Sequence, residues 1–323
     1  MKARQIVGRI LTIKETSSVL MLLATVLIFH ALSPYFLSYY NLRTLLELFP
    51  EFGILVLGVT LLMISGEFDL SVGSVFALCP ILIIEMVYLN VNIAIATVLA
   101  LLVSLAIGAL NATIVVKTGI PSFIVTLATM MCWRGAVLAA SGGTPPPIPK
   151  QFSIIEKYTV SWIGPIRISF IYFVVILIIF WILLERTRFG NWVFASGGNP
   201  EAARARGISP AKVKFICFML TSLLAAFAGV IEAARIGSAL PSAGTGWELD
   251  AIAASVIGGT SLFGGVGSVV AAVIGAFLLR IIGNGLVLAG APGFYFRTFV
   301  GIIIILAVIF NIIIKKRALK IRW

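Results

Sequence analysis

The chain has 323 residues, of which 60% are hydrophobic and only 11% are charged, and its mean hydropathy is +1.13. A soluble domain normally carries about 25% charged residues because its surface must be solvated, so the composition excludes a soluble globular protein. The formal net charge of +12 could indicate nucleic-acid binding, but the basic residues are gathered at both ends and in one central segment, as in the cytoplasmic parts of membrane proteins.

Long stretches without a charged residue predict membrane-spanning helices. Several exceed the ~17–20 residues that a helix needs to cross ~30 Å of hydrocarbon, and they lack the alternation of a membrane β-barrel. In chain order, the predicted crossings are 17–37, 43–65, 72–89, 92–116, 122–140, 168–185, 211–232, 247–262, 267–289 and 294–314. The predicted fold class is therefore all-α, a polytopic integral membrane protein with about ten transmembrane helices.

The positions of Lys and Arg orient these crossings, because cytoplasmic loops carry an excess of both. Basic residues precede the first crossing, follow the last one and recur in the loop 186–210, so we expect both termini in the cytoplasm. The expected domains are a cytoplasmic N-terminal segment at 1–16, a transmembrane domain at 17–314 and a basic cytoplasmic tail at 315–323. The first apolar run imitates a secretory signal, but no small-residue cleavage site follows it, so we interpret it as a retained helix.

Two loops are rich in proline or glycine. The external loop 141–167 contains consecutive prolines at 145–147, which cannot donate backbone hydrogen bonds and therefore predict an extended segment. Residues 258–268 contain five glycines, which permit either a helix broken at membrane depth or a tight turn at the membrane surface. Val72–Val75 and Val266–Val269 share the sequence Val-Gly-Ser-Val, a weak sign of an internal repeat.

The central loop carries a complete set of signals for a short helix. Asn199 is a good N-cap, Pro200 suits the first helical position, and Glu201 complements the positive end of the helix. The helix then continues through Ala202, Ala203, Arg204, Ala205 and Arg206. Gly207 ends it, which predicts a helix ~10 Å long between two crossings. This helix either anchors a structured loop in lipid headgroups or docks onto a partner that transmits force.

Catalytic and metal chemistry find no support in the sequence. Cys79, Cys132 and Cys217 lie far apart and match no metal or disulfide spacing, and His30 is the only histidine. We therefore predict no catalytic residue, no metal site and no cofactor in this chain. The chain also lacks any Gly-Lys dipeptide, hence a phosphate-binding Walker A loop, so an ATP-driven step would need another chain.

Five ordered motifs make the sequence recognisable. They are Ser65–Ser74, Pro121–Leu127, Gly197–Ala203, Thr245–Ala254 and Ile257–Leu262. With these motifs, the chain resembles the ribose-type permease family of bacterial ABC sugar importers over about residues 40–310. The family often has Gly-Gly-Ile-Asp where this chain has Gly-Glu-Phe-Asp, so Glu67 is an extra acid that either alters substrate preference or lies in a hydrated loop.

The resemblance implies a function and a set of partners. The chain would be the multi-pass permease subunit, in the bacterial inner membrane, that translocates a monosaccharide such as ribose or xylose. Its expected partners are a second permease copy forming a homodimer, a cytoplasmic ATPase subunit that binds ATP, a periplasmic sugar-binding protein and membrane lipid, but no nucleic acid. Residues Asn199–Gly207 would be the coupling helix that fits a groove on the ATPase.

Three alternatives stay open at this point. A related polyol, nucleoside or autoinducer-type sugar would suit the same permease, because the binding protein selects the substrate. An ion-coupled secondary transporter needs a titratable group near the bilayer midplane, and the predicted crossings leave the midplane nearly free of acids. A membrane-embedded enzyme would need catalytic residues that the sequence lacks.

Polar residues near the ends of predicted crossings are the candidates for the translocation pathway or gate. They are Glu67, Asp69, Ser71, Glu248, Asp250, Thr260 and Ser261. Thr245 and Glu248 have the spacing of a capping box, so this corner either only caps its helix or also contacts sugar or the binding protein.

Charged residues inside predicted crossings are costly and often functional. Glu232 and Arg235, three positions apart, predict a local ion pair. Glu85 and Arg280 are expected to extend toward the outer headgroups, and Arg134 is similarly placed.

Overall fold

A computed structural model describes residues 15–292 of the chain and, beyond them, residues 295, 298–299, 301–302, 305–306 and 309. In chain order the helices are α1 (Thr16–Leu32), α2 (Tyr39–Ile64), α3 (Val72–Tyr88), α4 (Ile93–Thr118), α5 (Ser122–Ser141), α6 (Ser153–Thr159), α7 (Ile168–Arg186), α8 (Arg188–Gly198), α9 (Pro200–Ala205), α10 (Pro210–Ile236), α11 (Trp247–Ile257) and α12 (Val269–Leu288). Most of the predicted crossing at 294–314 and of the predicted segment 1–16, and all of the predicted tail 315–323, lie outside the described residues.

Six of these helices are long and apolar enough to cross a membrane: α2, α4, α5, α7, α10 and α12. Two shorter apolar helices, α1 and α3, have 17 residues each. The prediction of an all-α polytopic membrane protein is therefore confirmed for the part of the chain that the structure describes. The number of ten crossings and the orientation of the termini stay predictions.

The loop between α5 and α7 has more structure than the sequence predicted. It contains a 3₁₀ turn at Lys150–Phe152, helix α6, and a hairpin of two-residue strands, β1 (Trp162–Ile163) and β2 (Ile166–Arg167). Arg167 joins the hairpin to α2 through an ion pair with Glu47, with 2.6 Å between Nη2 and Oε1. Burial lowers the pKa of Arg167, and the neighbouring Glu47 carboxylate opposes that shift.

Helix α10 lies at the centre of the fold and packs against α2, α3 and α4. Small residues allow these close approaches: a Cβ added at Gly108 of α4 would lie 2.6 Å from the carbonyl oxygen of Phe218. On α2, the carbonyl of Gly58 accepts a hydrogen bond from Thr221 Oγ1 at 2.9 Å. Hydrogen bonding between helices fixes the register of α10 against α2, because neither partner has water to bond instead.

Helix α11 is too short to be the full crossing predicted at 247–262. Its 11 residues rise only about 16 Å, roughly half the hydrocarbon thickness. It begins beside the middle of α2, where the ring centroids of Trp247 and Phe52 are 5.5 Å apart. Its other end is tied to α1 by a hydrogen bond from Ser18 Oγ to the carbonyl oxygen of Ile257. The glycines at 258–259 end this helix early, so α11 alone does not complete the crossing, which stays a prediction.

Candidate coupling segment and translocation pathway

The segment between α7 and α10 contains two helices, whereas the sequence predicted a loop with one. The additional helix, α8, packs against α7, α10 and α2. Thr187 caps it by accepting a hydrogen bond from the Gly190 backbone N–H at 3.2 Å. The cap at Thr187 and the buried Val193 within the following segment were the signals that could have predicted it.

The short helix α9 has the caps that the sequence predicted. Asn199 Oδ1 accepts a hydrogen bond from the Ala202 backbone N–H at 3.0 Å, and Pro200 takes the first position. After the helix ends at Ala205, Gly207 adopts a left-handed conformation with a φ of 79°. The predicted boundaries, Asn199 to Gly207, are therefore confirmed as local structure.

The two faces of α9 differ in chemistry. Ala203 is buried, with 2% of its surface exposed, and holds the helix against the body of the protein. Glu201, Ala202 and Arg204 are exposed. A short helix that is anchored on one face and presents charges on the other is suited to dock onto a partner surface.

Residues 65–71, here called the first link, connect α2 to α3 and contain three of the predicted pathway residues. Glu67 forms an ion pair with Lys214 of α10, so the extra acid does not lie in a freely hydrated loop. Asp69 Oδ1 accepts hydrogen bonds from the Ser71 backbone N–H at 2.8 Å and from Ser71 Oγ at 2.6 Å. Asn111 of α4 donates to Ser71 Oγ at 2.9 Å.

Asp69 is almost fully buried, with 1% of its surface exposed. Burial raises the pKa of its carboxyl group, and the hydrogen bonds from Ser71 and Asn111 oppose this shift. Asp69 and Ser71 therefore hold the first link in shape, whereas an open pathway would need them to face water.

Residues 258–268, here called the second link, connect α11 to α12 and contain Thr260 and Ser261. Thr260 is buried, and its backbone N–H donates to the carbonyl oxygen of Ser255. Ser261 closes a tight loop, because its backbone N–H donates to the carbonyl oxygen of Val266 at 2.9 Å and its Oγ accepts from the Phe263 N–H. Like Asp69 and Ser71, these two residues shape a link.

The beginning of α11 has only half of the predicted capping box. Glu248 Oε1 accepts a hydrogen bond from the Gly246 backbone N–H at 3.2 Å. Thr245 does not cap the helix: its Oγ1 donates to the carbonyl oxygen of Ser242, and Gly246 is the N-cap in a left-handed conformation. The left-handed turn at Gly246 rotates Thr245 away from the helix end, which the spacing alone could not indicate.

The seven predicted pathway residues do not form one site. Glu67, Asp69 and Ser71 lie in the first link, Thr260 and Ser261 lie in the second link, and Glu248 and Asp250 lie at the start of α11. The two links do meet each other, because a Cβ added at Gly264 would lie 2.7 Å from the Cα of Gly66, and the Gly265 backbone N–H donates to the carbonyl oxygen of Ile64 at the end of α2 at 2.8 Å. Among the residues that the structure describes, no group of three His, Cys, Asp or Glu side chains could hold a metal ion.

A buried ion pair that the sequence did not predict joins α2 to α10. Arg235 Nε donates to Glu51 Oε1 at 2.7 Å, and Glu51 has 0% of its side chain exposed. The predicted pair of Arg235 with Glu232 is much looser, at 3.9 Å. Glu51 is near the middle of α2, so a buried acid lies within a helix that is long and apolar enough to cross a membrane.

Arg280 of α12 lies in the same layer and does not extend to the outer headgroups as predicted. Its guanidinium carbon is 4.2 Å from the ring centroid of Phe52 and 4.4 Å from that of Trp247. The two rings attract the cation through their negative faces, which explains why the side chain turns inward. Glu51, Glu232 and Asp250 are close enough to interact electrostatically with Arg280. We call these three acids, with Arg235 and Arg280, the charged layer.

Arg134 of α5 donates hydrogen bonds to backbone carbonyls in an irregular segment and at the start of a helix. Its Nη1 donates to the carbonyl oxygens of Pro241 at 2.7 Å and Ala243 at 3.1 Å, and its Nη2 donates to that of Gly73 at 2.9 Å. One side chain thereby ties the irregular segment before α11 to the start of α3. Buried backbone carbonyls outside helices need such donors.

Six helices long and apolar enough to cross a membrane, a short helix that stops at two glycines and an exposed capped segment between two long helices fit a membrane transport permease. The family described as branched-chain amino acid transport system, permease component, matches residues 41–308. The ribose import permease protein of Escherichia coli strain K12 is 38% identical over 305 residues, which cover 91% of this chain and 92% of that protein.

Two further relatives give the same result. The ribose import permease protein of Bacillus subtilis strain 168 is 36% identical, over 88% of this chain and 89% of its own length. The autoinducer 2 import system permease protein of Photorhabdus luminescens is 32% identical, over 93% of this chain and 91% of its own length. No solved structure matches the chain. The chain therefore belongs to the ribose-type family of ABC importer permeases.

Proposed function

We propose that this chain forms the membrane pathway of an ABC importer for a ribose-like monosaccharide in the bacterial inner membrane. A periplasmic binding protein would deliver the sugar, a separate ATPase subunit would bind ATP, and two copies of the chain would pair in the membrane. The similarity to ribose import permeases over most of the chain is the observation that carries this proposal.

In this proposal, α9 is the segment that the ATPase moves. Its exposed face carries Glu201 and Arg204, while Ala203 anchors the opposite face. The caps at Asn199 and Gly207 keep the helix rigid enough to transmit a displacement. This assignment puts α9 in the cytoplasm, and with the ten predicted crossings it puts both termini there as well.

The charged layer favours a neutral substrate. It contains three acids, Glu51, Glu232 and Asp250, against two bases, Arg235 and Arg280, so its formal charge is 2 − 3 = −1. A phosphorylated or acidic sugar passing beside this layer would meet no excess of positive charge, whereas a neutral polyol has no such requirement. An autoinducer-type sugar fits the same argument, and the relative from Photorhabdus luminescens keeps it as the second candidate.

Reconstitution with the partner proteins tests the proposal. The chain, its ATPase and its binding protein in proteoliposomes should take up D-ribose only when ATP is hydrolysed, and a proton or sodium gradient should not replace ATP. Uptake of autoinducer 2 in place of D-ribose would select the second candidate. Uptake that is driven by an ion gradient without the ATPase would contradict the proposal.

Two variants of α9 test the coupling assignment. Glu201→Leu and Arg204→Leu should each reduce ATP-dependent uptake at least tenfold and release the ATPase during purification, because both side chains are exposed and neither supports the fold. Lys117→Leu is the matched control, since Lys117 is also exposed and follows a crossing that is predicted to end on the same side. Normal uptake in both α9 variants would remove the assignment.

A further inference from the structure

Three segments of the chain meet through glycine residues beside α9. One belongs to the first link, one is the end of α8 and one belongs to the second link; the residues are Gly66, Gly197, Gly198, Gly264 and Gly265. We call this cluster the glycine joint. A backbone hydrogen bond from Gly265 N–H to the carbonyl oxygen of Ile64 ties the second link to the end of α2, immediately before the first link.

Side chains at Gly264 and Gly265 would clash with the neighbouring segments of the glycine joint. A Cβ added at Gly264 would lie 2.7 Å from the Cα of Gly66 and 2.8 Å from the carbonyl oxygen of Gly197. A Cβ added at Gly265 would lie 2.7 Å from the backbone nitrogen of Gly198. Three of the five glycines also have left-handed φ angles: 90° at Gly66, 80° at Gly264 and 72° at Gly265. The three backbones therefore touch directly, which only glycine permits.

Direct backbone contact has a mechanical consequence. Gly198 immediately precedes Asn199, the N-cap of α9. A side chain between two segments can change rotamer and absorb a small displacement, but no such side chain lies between α8 and the two links. We propose that the glycine joint transmits a displacement of α9 to both links at once. This inference rests on the proposed docking of the ATPase on α9.

Both links lead to the middle of the membrane domain. The first link opens α3, and the second link separates α11 from α12. Helices α3 and α11 meet again above the joint, where the ring centroids of Phe76 and Trp247 are 5.0 Å apart. Helix α11 thus contacts the first turns of α3 at its start and continues into the second link at its end, so we expect the start of α3 and α11 to move as one unit. The glycines are thus positioning residues for transport. They pass a displacement of α9 through the two links to α3 and α11, and the start of α11 moves as a result.

A probe at the start of α11 tests the joint without depending on the identity of the sugar. Leu249 is 58% exposed and can be replaced by cysteine for spin labelling, in a background where the exposed Cys132 is changed to serine. The full complex of chain, ATPase and binding protein is placed in lipid nanodiscs. The electron paramagnetic resonance spectrum of the label is recorded before and after ATP addition, and ATP hydrolysis is measured in parallel.

Three alanine variants give a graded comparison. Gly265→Ala should reduce the ATP-dependent spectral change at least threefold, while the ATPase still co-purifies and hydrolyses ATP. Gly198→Ala should reduce the change about twofold, because its added methyl already touches Gly265 at an ordinary contact distance of 3.6 Å and blocks further approach. Gly135→Ala is the control, since no atom lies within 4 Å of its added Cβ, and it should keep the full change.

The outcomes separate the joint from the proposed function. If the Gly265→Ala variant keeps the full ATP-dependent spectral change, the proposed role of the glycine joint is wrong. If Gly265→Ala does not insert into the membrane, a full spectral change in Gly198→Ala has the same meaning. If both variants lose the ATPase as well as the spectral change, the glycines have only a structural role. That result would also contradict the proposed role of the glycine joint. Failure of the ATPase to associate with the Gly135→Ala control would instead contradict the proposed coupling by α9.

Discussion

The α8–α9 segment and the charged layer are built by opposite kinds of contact. In α9, the decisive hydrogen bond joins Asn199 to Ala202, three positions along the chain. In the charged layer, the decisive bond joins Glu51 to Arg235, which are 184 positions apart. Local contacts make the first region and long-range contacts make the second, although both belong to the same permease.

The two regions also differ in how readily they can move. The α8–α9 segment exposes charged side chains and is attached through glycines, so it is suited to move when a partner pushes it. The charged layer joins α2, α10, α11 and α12, so removing one partner of its buried ion pair leaves a lone charge in a low-dielectric interior. We therefore expect variants of the charged layer to affect stability first and variants of α9 to affect coupling first.

The largest effect on stability is expected from removal of Glu51. Glu51→Ala leaves Arg235 buried without its closest partner, and loss of one member of a buried ion pair costs about 3–5 kcal/mol. The purified chain in detergent should unfold at a clearly lower temperature, and the double variant Glu51→Leu with Arg235→Leu should recover part of the loss. Thermal unfolding followed by tryptophan fluorescence measures both.

The ion pair between Glu47 and Arg167 is the matched control. Its side chains are 26% and 15% exposed, compared with 0% for Glu51, so solvent screens the interaction. Glu47→Ala should cost only about 0–1 kcal/mol. Equal losses of stability in Glu47→Ala and Glu51→Ala would contradict the distinction between the buried charged layer and the partly exposed pair of Glu47 and Arg167.

The comparison explains what the sequence could predict. Caps, a proline at the first helical position and a left-handed glycine act within a few residues, so α9 was predicted with its boundaries at Asn199 and Gly207. The family motifs predicted the class of protein. Arg280 could not be placed, because the choice between lipid headgroups and an aromatic cage depends on Phe52 and Trp247, which lie far away in the chain.

The same reasoning applies to the predicted pathway residues. Asp69, Ser71 and Thr260 were chosen as polar residues at the ends of crossings, and the structure uses them inside the two links. Polarity near a helix end predicts that a hydrogen bond is made. It does not predict whether the partner is a substrate or the neighbouring backbone, since both satisfy the same donor or acceptor.

An intermediate effect is expected at Arg134, which links the irregular segment before α11 to α3. Arg134→Gln leaves some of the carbonyls of Pro241, Ala243 and Gly73 without a donor, at a cost of about 2 kcal/mol. Arg134→Lys should lose less, because one ammonium group can still reach part of the set. The melting temperatures should follow the order wild type, Arg134→Lys, Arg134→Gln, and a Gln variant as stable as wild type would contradict the role.

The smallest effect on stability is expected at Asn199, because only α9 depends on it. Asn199→Ala removes the acceptor for the Ala202 N–H and should destabilise α9 by about 1 kcal/mol, with little change in the melting temperature of the whole chain. Amide hydrogen exchange in 200–205 should therefore become about five times faster, as mass spectrometry can measure. Asn199→Asp keeps an acceptor and should exchange at the wild-type rate. If α9 exchanges equally slowly in all three proteins, the Asn199 cap does not stabilise the helix, and the contacts of Ala203 hold it instead.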